Sequence, residues 1–122
     1  MKARAKFARV KNRRGNFAEI EIEVYQSDKH CIKWDPCVSE YKSEYGVFVA
    51  KGINKALDIH IELGGSISSF RVTDFVELVC DINEYIVECV AMSAAWQALG
   101  HNEGDIVYEY TDYWTARIDV KD

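Results

Sequence analysis

The stretch Tyr45–Gly100, YGVFVAKGINKALDIHIELGGSISSFRVTDFVELVCDINEYIVECVAMSAAWQALG, decides the fold, because it carries two helix patterns around one strand pattern with no domain-length break. In its first part Tyr45, Phe48, Val49, Ala56 and Leu57 fall on one stripe at the helical period, with Lys51, Asn54, Lys55 and Asp58 between them. The spacing predicts a helix with one buried face, ended by Gly64 and Gly65, which take positive φ readily after a last turn. Phe70–Cys80 is then rich in β-branched and aromatic residues, and as a strand it places Val72, Val76, Leu78 and Cys80 on a shared face. A second helix is predicted to open at Asp81, with Glu84 completing a capping box and Asn83 as a competing start. Ile86, Cys89 and Val90 begin its apolar stripe, Ala91, Ala94, Ala95 and Ala98 keep one flank small enough for close approach to a sheet, and Gly100 closes it.

Working outward, the N-terminal segment alternates Ala3, Ala5 and Phe7 with Arg4 and Lys6. Asn12-Arg13-Arg14-Gly15-Asn16 offers turn residues, and Ala18, Ile20, Ile22 and Val24 then alternate with Glu19, Glu21 and Glu23. Two strands joined by a tight connection make a hairpin whose bases can face the glutamates across the strands. Residues 26–44 are the least regular part, with a short strand expected at Cys31–Trp34 before the sole proline, Pro36. The tail from Ile106 to Val120 reads as a closing strand or a bulged pair of strands bent near Thr111-Asp112, its aromatics serving core and sheet-face packing.

At 122 residues the chain is expected to form a single domain, 1–122, and a fold of this size buries about two thirds of its unfolded surface without needing disulfides. Cys80 and Cys89 fall on predicted buried faces, and the Cys31–Cys37 spacing suits neither a zinc ribbon nor a redox pair. The charged N-terminus gives no signal-peptide pattern, and no apolar run approaches the roughly 20 residues that span a bilayer. A cytoplasmic protein with no membrane partner is expected. Charge is uneven: Lys2, Arg4, Lys6, Arg9, Lys11, Arg13 and Arg14 precede the first acid, Glu19, although the formal net charge is −5. A basic arm sits on an acidic body.

Motifs for chemistry are absent. His30, His60 and His101 lie in separate segments without metal-ligand spacing, so each reads as a surface or loop residue and no metal or cofactor is expected. Gly64-Gly65-Ser66 lacks the lysine of a phosphate loop and precedes a strand, and His30 beside Cys31 does not make a nucleophile and base. Glu19, Glu21 and Glu23 read as a solvated strand face. No catalytic residue is assigned, and the chain is expected not to be an enzyme.

Four pieces fall in order along roughly 100 residues: Arg14-Gly15-Asn16-Phe17-Ala18-Glu19-Ile20, Lys51-Gly52-Ile53-Asn54-Lys55-Ala56-Leu57, Val72-Thr73-Asp74-Phe75, and the alanine-rich helix ending near Leu99. On these the chain resembles the fourth domain of elongation factor G and of the tetracycline-resistance ribosomal protection proteins. The resemblance implies an α+β two-layer sandwich, with a mainly antiparallel four-stranded sheet, two helices on one face and a left-handed βαβ crossover as in the second domain of a small-subunit ribosomal protein. It departs from that family where the loop before the second helix, extended and tipped with basic residues or histidine in the translocases, is here the short, acidic Cys80-Asp81-Ile82-Asn83-Glu84. No GTPase accompanies it on this chain. What the resemblance leaves is a non-catalytic binding module, with ribosomal RNA or a translation factor as partner and Arg4, Lys6, Arg9, Lys11, Arg13 and Arg14 as the candidate RNA-binding set. The alternative is a protein-interaction or small regulatory, immunity-type domain that turns its acidic surface toward a basic partner. Oligomeric state is left open.

Overall fold

Alternating apolar and charged residues dictate a sheet with one dry and one wet face, and two apolar helices supply the cover. A computed structural model of the chain describes residues 1–120; residues 121–122, the end of the expected single domain, lie outside the described residues. In chain order the elements are β1 (Lys2–Lys11), β2 (Arg14–Gln26), β3 (Ile32–Trp34), α1 (Lys42–Glu62), β4 (Ser68–Glu77), α2 (Glu84–Ala98), β5 (Ile106–Tyr110) and β6 (Trp114–Ile118). The sheet order is β1-β2-β4-β3, with β1–β2 and β2–β4 antiparallel and β3–β4 parallel. This is the α+β two-layer arrangement with a mainly antiparallel sheet. The fourth place in that sheet belongs to β3, while β5 and β6 pair only with each other as a separate hairpin.

The inner face of the sheet carries Ala5, Phe7, Ala18, Ile20, Ile22, Phe70, Val72 and Phe75, all buried. Phe75 reaches that face because β4 bulges: Glu21 pairs with Asp74 but Ile22 with Val72, so Thr73 is the extra residue. The bulge flips the strand's parity. The predicted face of Val72, Val76, Leu78 and Cys80 is therefore split, and only Val72 is buried. β4 ends at Glu77, and Leu78 to Asp81 close a turn through the Asp81 amide donating to the Leu78 carbonyl. Cys80 is consequently exposed, contrary to expectation, while Cys89 is buried and its thiol is pushed up to about 12 by desolvation.

Asn83, not Asp81, caps α2: its Oδ1 accepts from the amides of Tyr85 and Ile86 at 3.0 and 3.1 Å. From Ile86 to Ala98 this helix is buried on nearly every side, under α1, against the sheet and beneath the β5–β6 hairpin. Its meeting with α1 is close enough that a Cβ on Gly52 would come within 2.8 Å of the Met92 amide nitrogen and nearer still to the Glu88 carbonyl oxygen. Tyr45 anchors the other flank of α1, stacking on Phe75 at 5.2 Å and donating its hydroxyl to Glu77. α1 ends as expected, with Gly64 at φ 95° and the Gly65 amide donating to the His60 carbonyl.

Candidate functional site

The hairpin register divides the six arm residues among three places. Arg4 and Lys6 stand opposite Glu21 and Glu19 on the open sheet face. There Arg4 donates to Glu19 at 2.6 Å and to Asp74 at 2.5 Å, with Glu21 at 3.4 Å. These partners raise its pKa, Asp74 and then Glu19 contributing most, and in return hold the Asp74 carboxyl below the usual carboxylate range. Lys2, on the same face, pairs with Glu21. Lys2 and Arg4 are thus paired across the strands, as the cross-strand reading expects, while Lys6 stands opposite Glu19 without an ion pair among the described residues.

Arg9, Lys11 and Arg14 lie on the opposite, helix-side face. The Arg9 guanidinium sits over Tyr108, Phe7 and Trp114 at 4.9, 5.3 and 5.4 Å from the ring centroids, and the Lys11 ammonium lies 5.1 Å from that of Tyr110. Arg13 occupies the hairpin turn itself, where Asn12 and Arg13 have φ of 54° and 64°. Two consecutive left-handed residues make the primed turn that suits strand twist, a geometry usually given to Asn-Gly. A bulky arginine there is strained. Among the described residues Arg9, Lys11, Arg13 and Arg14 make no ion pair.

At this end of the molecule three chain reversals converge: the β1–β2 turn, the loop leading into α2, and the β5–β6 turn. The Phe17 amide donates to the Asp81 carbonyl and Asn83 Nδ2 to Asn16 Oδ1, tying the first two together. Tyr85, in the first turn of α2, stacks on Tyr113 at 4.2 Å and 18°, tying in the third. Between them lies a half-open cavity of about 230 Å³, lined by Lys11, Arg14, Asp112 and the Tyr85–Tyr113 stack. Trp114 also lines it; that ring is 9% exposed, and its buried indole N–H has no acceptor among the described residues. The tyrosines, Asn83 and Trp114 escape sequence reasoning as site residues, because they come from segments that meet only in three dimensions. Exposed aromatics in a helix first turn and in a turn are the sole available sign.

The histidines are not all isolated. His60, in the last turn of α1, and His101, after α2, share a hydrogen bond of 2.7 Å between Nδ1 and Nε2. His101 also stacks on Trp96 at 3.7 Å, and burial, then the neighbouring His60, lowers its pKa. His30 instead bridges Ser68 and Asn54. Among the described residues no three His, Cys, Asp or Glu side chains are grouped to hold a metal. No helix among them is long and apolar enough to cross a membrane.

No family model and no curated protein matches the chain. Its fold is similar to that in a crystal structure of a protein from Thermus thermophilus, with a TM-score of 0.70 at 13% identity over 79% of this chain. The chain spans only 15% of that protein's length, so the same architecture occurs there as one part of a longer polypeptide.

Proposed function

We propose that this chain is a non-catalytic binding module that docks on RNA, with ribosomal RNA or an RNA-bound translation factor as its setting, through the end of the molecule that carries the β1–β2 turn. The observation that carries the reading is the division of the basic arm. Arg4 and Lys2 pair with sheet-face carboxylates and Lys6 stands opposite Glu19 on that acidic face, whereas Arg9, Lys11, Arg13 and Arg14 are gathered at one end and make no ion pair among the described residues. Holding Arg13 at positive φ costs on the order of 1–2 kcal/mol, and strained residues of this kind concentrate at functional sites. The acidic remainder of the surface repels RNA, which favours end-on contact. The resemblance to the fourth domain of elongation factor G supports the same setting, and occurrence of the fold within a longer protein supports its use as a module.

The test is cosedimentation with ribosomes, and filter binding to ribosomal RNA, across a salt series. Replacing Lys11, Arg13 and Arg14 with glutamine is expected to weaken association and lower the log–log salt slope by about 2, at roughly 0.7 for each phosphate no longer neutralised. Replacing Lys2, Arg4 and Lys6 is expected to change it little. Association indifferent to salt, or reduced equally by both sets, would overturn the reading. A protein partner is the second reading, favoured by Val10, Leu78 and Val79, which are 74%, 48% and 80% exposed. Nuclease-treated pull-downs separate the two, since partners retained after RNA is destroyed support the second.

A further inference from the structure

We infer that the cavity between the three turns seats one unpaired nucleotide of a single-stranded RNA; this deepens, and rests on, the RNA-docking reading. Size comes first. A cavity of about 230 Å³ falls below the roughly 300–1,000 Å³ typical of pockets that enclose a whole small ligand, so it suits one unit of a longer chain better than a free cofactor.

The chemistry of the walls narrows the occupant further. Lys11 and Arg14 supply two cations against one carboxylate, Asp112, which favours an anionic group such as a backbone phosphate. The Tyr85–Tyr113 stack, with both rings about 40% exposed, offers an aromatic face of the kind on which an unstacked base lies. A duplex hides its base faces in its own stack, so these walls select single strands. An acidic peptide would satisfy the cations but would leave the aromatic platform without a planar partner.

Fluorescence anisotropy of a labelled oligouridylate octamer, beside a labelled RNA duplex of equal length, tests the inference in wild type and in a Tyr85→Leu/Tyr113→Leu variant. Both tyrosines are on the surface, and circular dichroism with a thermal melt verifies that the variant is folded. The octamer is expected to bind wild type at least about tenfold more tightly than the duplex. The tyrosine variant is expected to lose roughly tenfold in affinity, the scale of one base stack, with its salt slope unchanged. Equal binding of duplex and single strand overturns the inference, as does full affinity in the folded tyrosine variant or displacement of the octamer by an oligoglutamate peptide at matched charge. In those cases, salt-sensitive RNA binding lost with Lys11, Arg13 and Arg14 leaves the docking reading standing; absence of binding to any RNA removes both.

Discussion

At the scale of single residues, buried polar groups make the sharpest claims. Trp96 is fully buried, and its indole N–H donates to Asp105 Oδ2 at 3.0 Å; Asp105 is itself buried and takes the Asp119 amide on its backbone oxygen. Asp105→Ala strands that donor in the core, which is expected to cost about 1–3 kcal/mol, read as a lower urea midpoint with an unchanged m-value. His101 gives a pH dependence. Its folded pKa is depressed, so the fold prefers the neutral ring: the contribution is complete above the ordinary value of about 6.5 and is lost as pH falls through the lowered one. Stability is expected to drop as pH falls below about 6.5, and His101→Phe, which keeps an aromatic ring beside Trp96, should flatten that drop. Asp74 does not confuse the measurement, because its lowered pKa makes itself felt only as pH falls below about 3.8.

Among elements, the α1–α2 crossing is set by Gly52. Alanine there gains helix propensity of about 1 kcal/mol but drives a methyl into the backbone of Glu88 and Met92, which side-chain rotation cannot relieve. A net loss on the order of 2 kcal/mol is expected in chemical denaturation. At the hairpin, Arg13→Gly removes a left-handed side chain and is expected to stabilise by up to about 1 kcal/mol while weakening RNA association. A turn that grows more stable as it binds less would mark Arg13 as retained for binding.

The same elements explain what the sequence can and cannot convey. Both helices, the hairpin and its charge pairing are legible, because period 3.6, period 2 and cross-strand alternation are local patterns. The bulge at Thr73 is not, since the run from Phe70 to Cys80 contains no glycine to announce it, and one extra residue reverses every later side chain. The start of α2 is ambiguous between two good capping residues, and tertiary contact decides it: the Asp81 carbonyl is engaged by Phe17, leaving Asn83 to cap. The tip cavity is invisible for another reason. Lys11 and Arg14 stand out as bases, but their aromatic neighbours come from α2 and the β5–β6 turn, and no spacing rule links those segments.

For the whole molecule, the placement of α2 organises the rest. The strands of the main sheet leave their charged face open and α1 leaves its polar face to water; α2 alone is enclosed by sheet, companion helix and terminal hairpin. Its amides from Ile86 to Ala98 therefore cannot meet solvent through fraying or surface breathing, and their deuterium uptake should report complete unravelling of the chain. The β5–β6 amides, in a sheet of their own, should trade protons sooner. If they instead keep pace with α2, the hairpin behaves as a structural clasp, and grasping a ligand at the tip would brace the protein's centre.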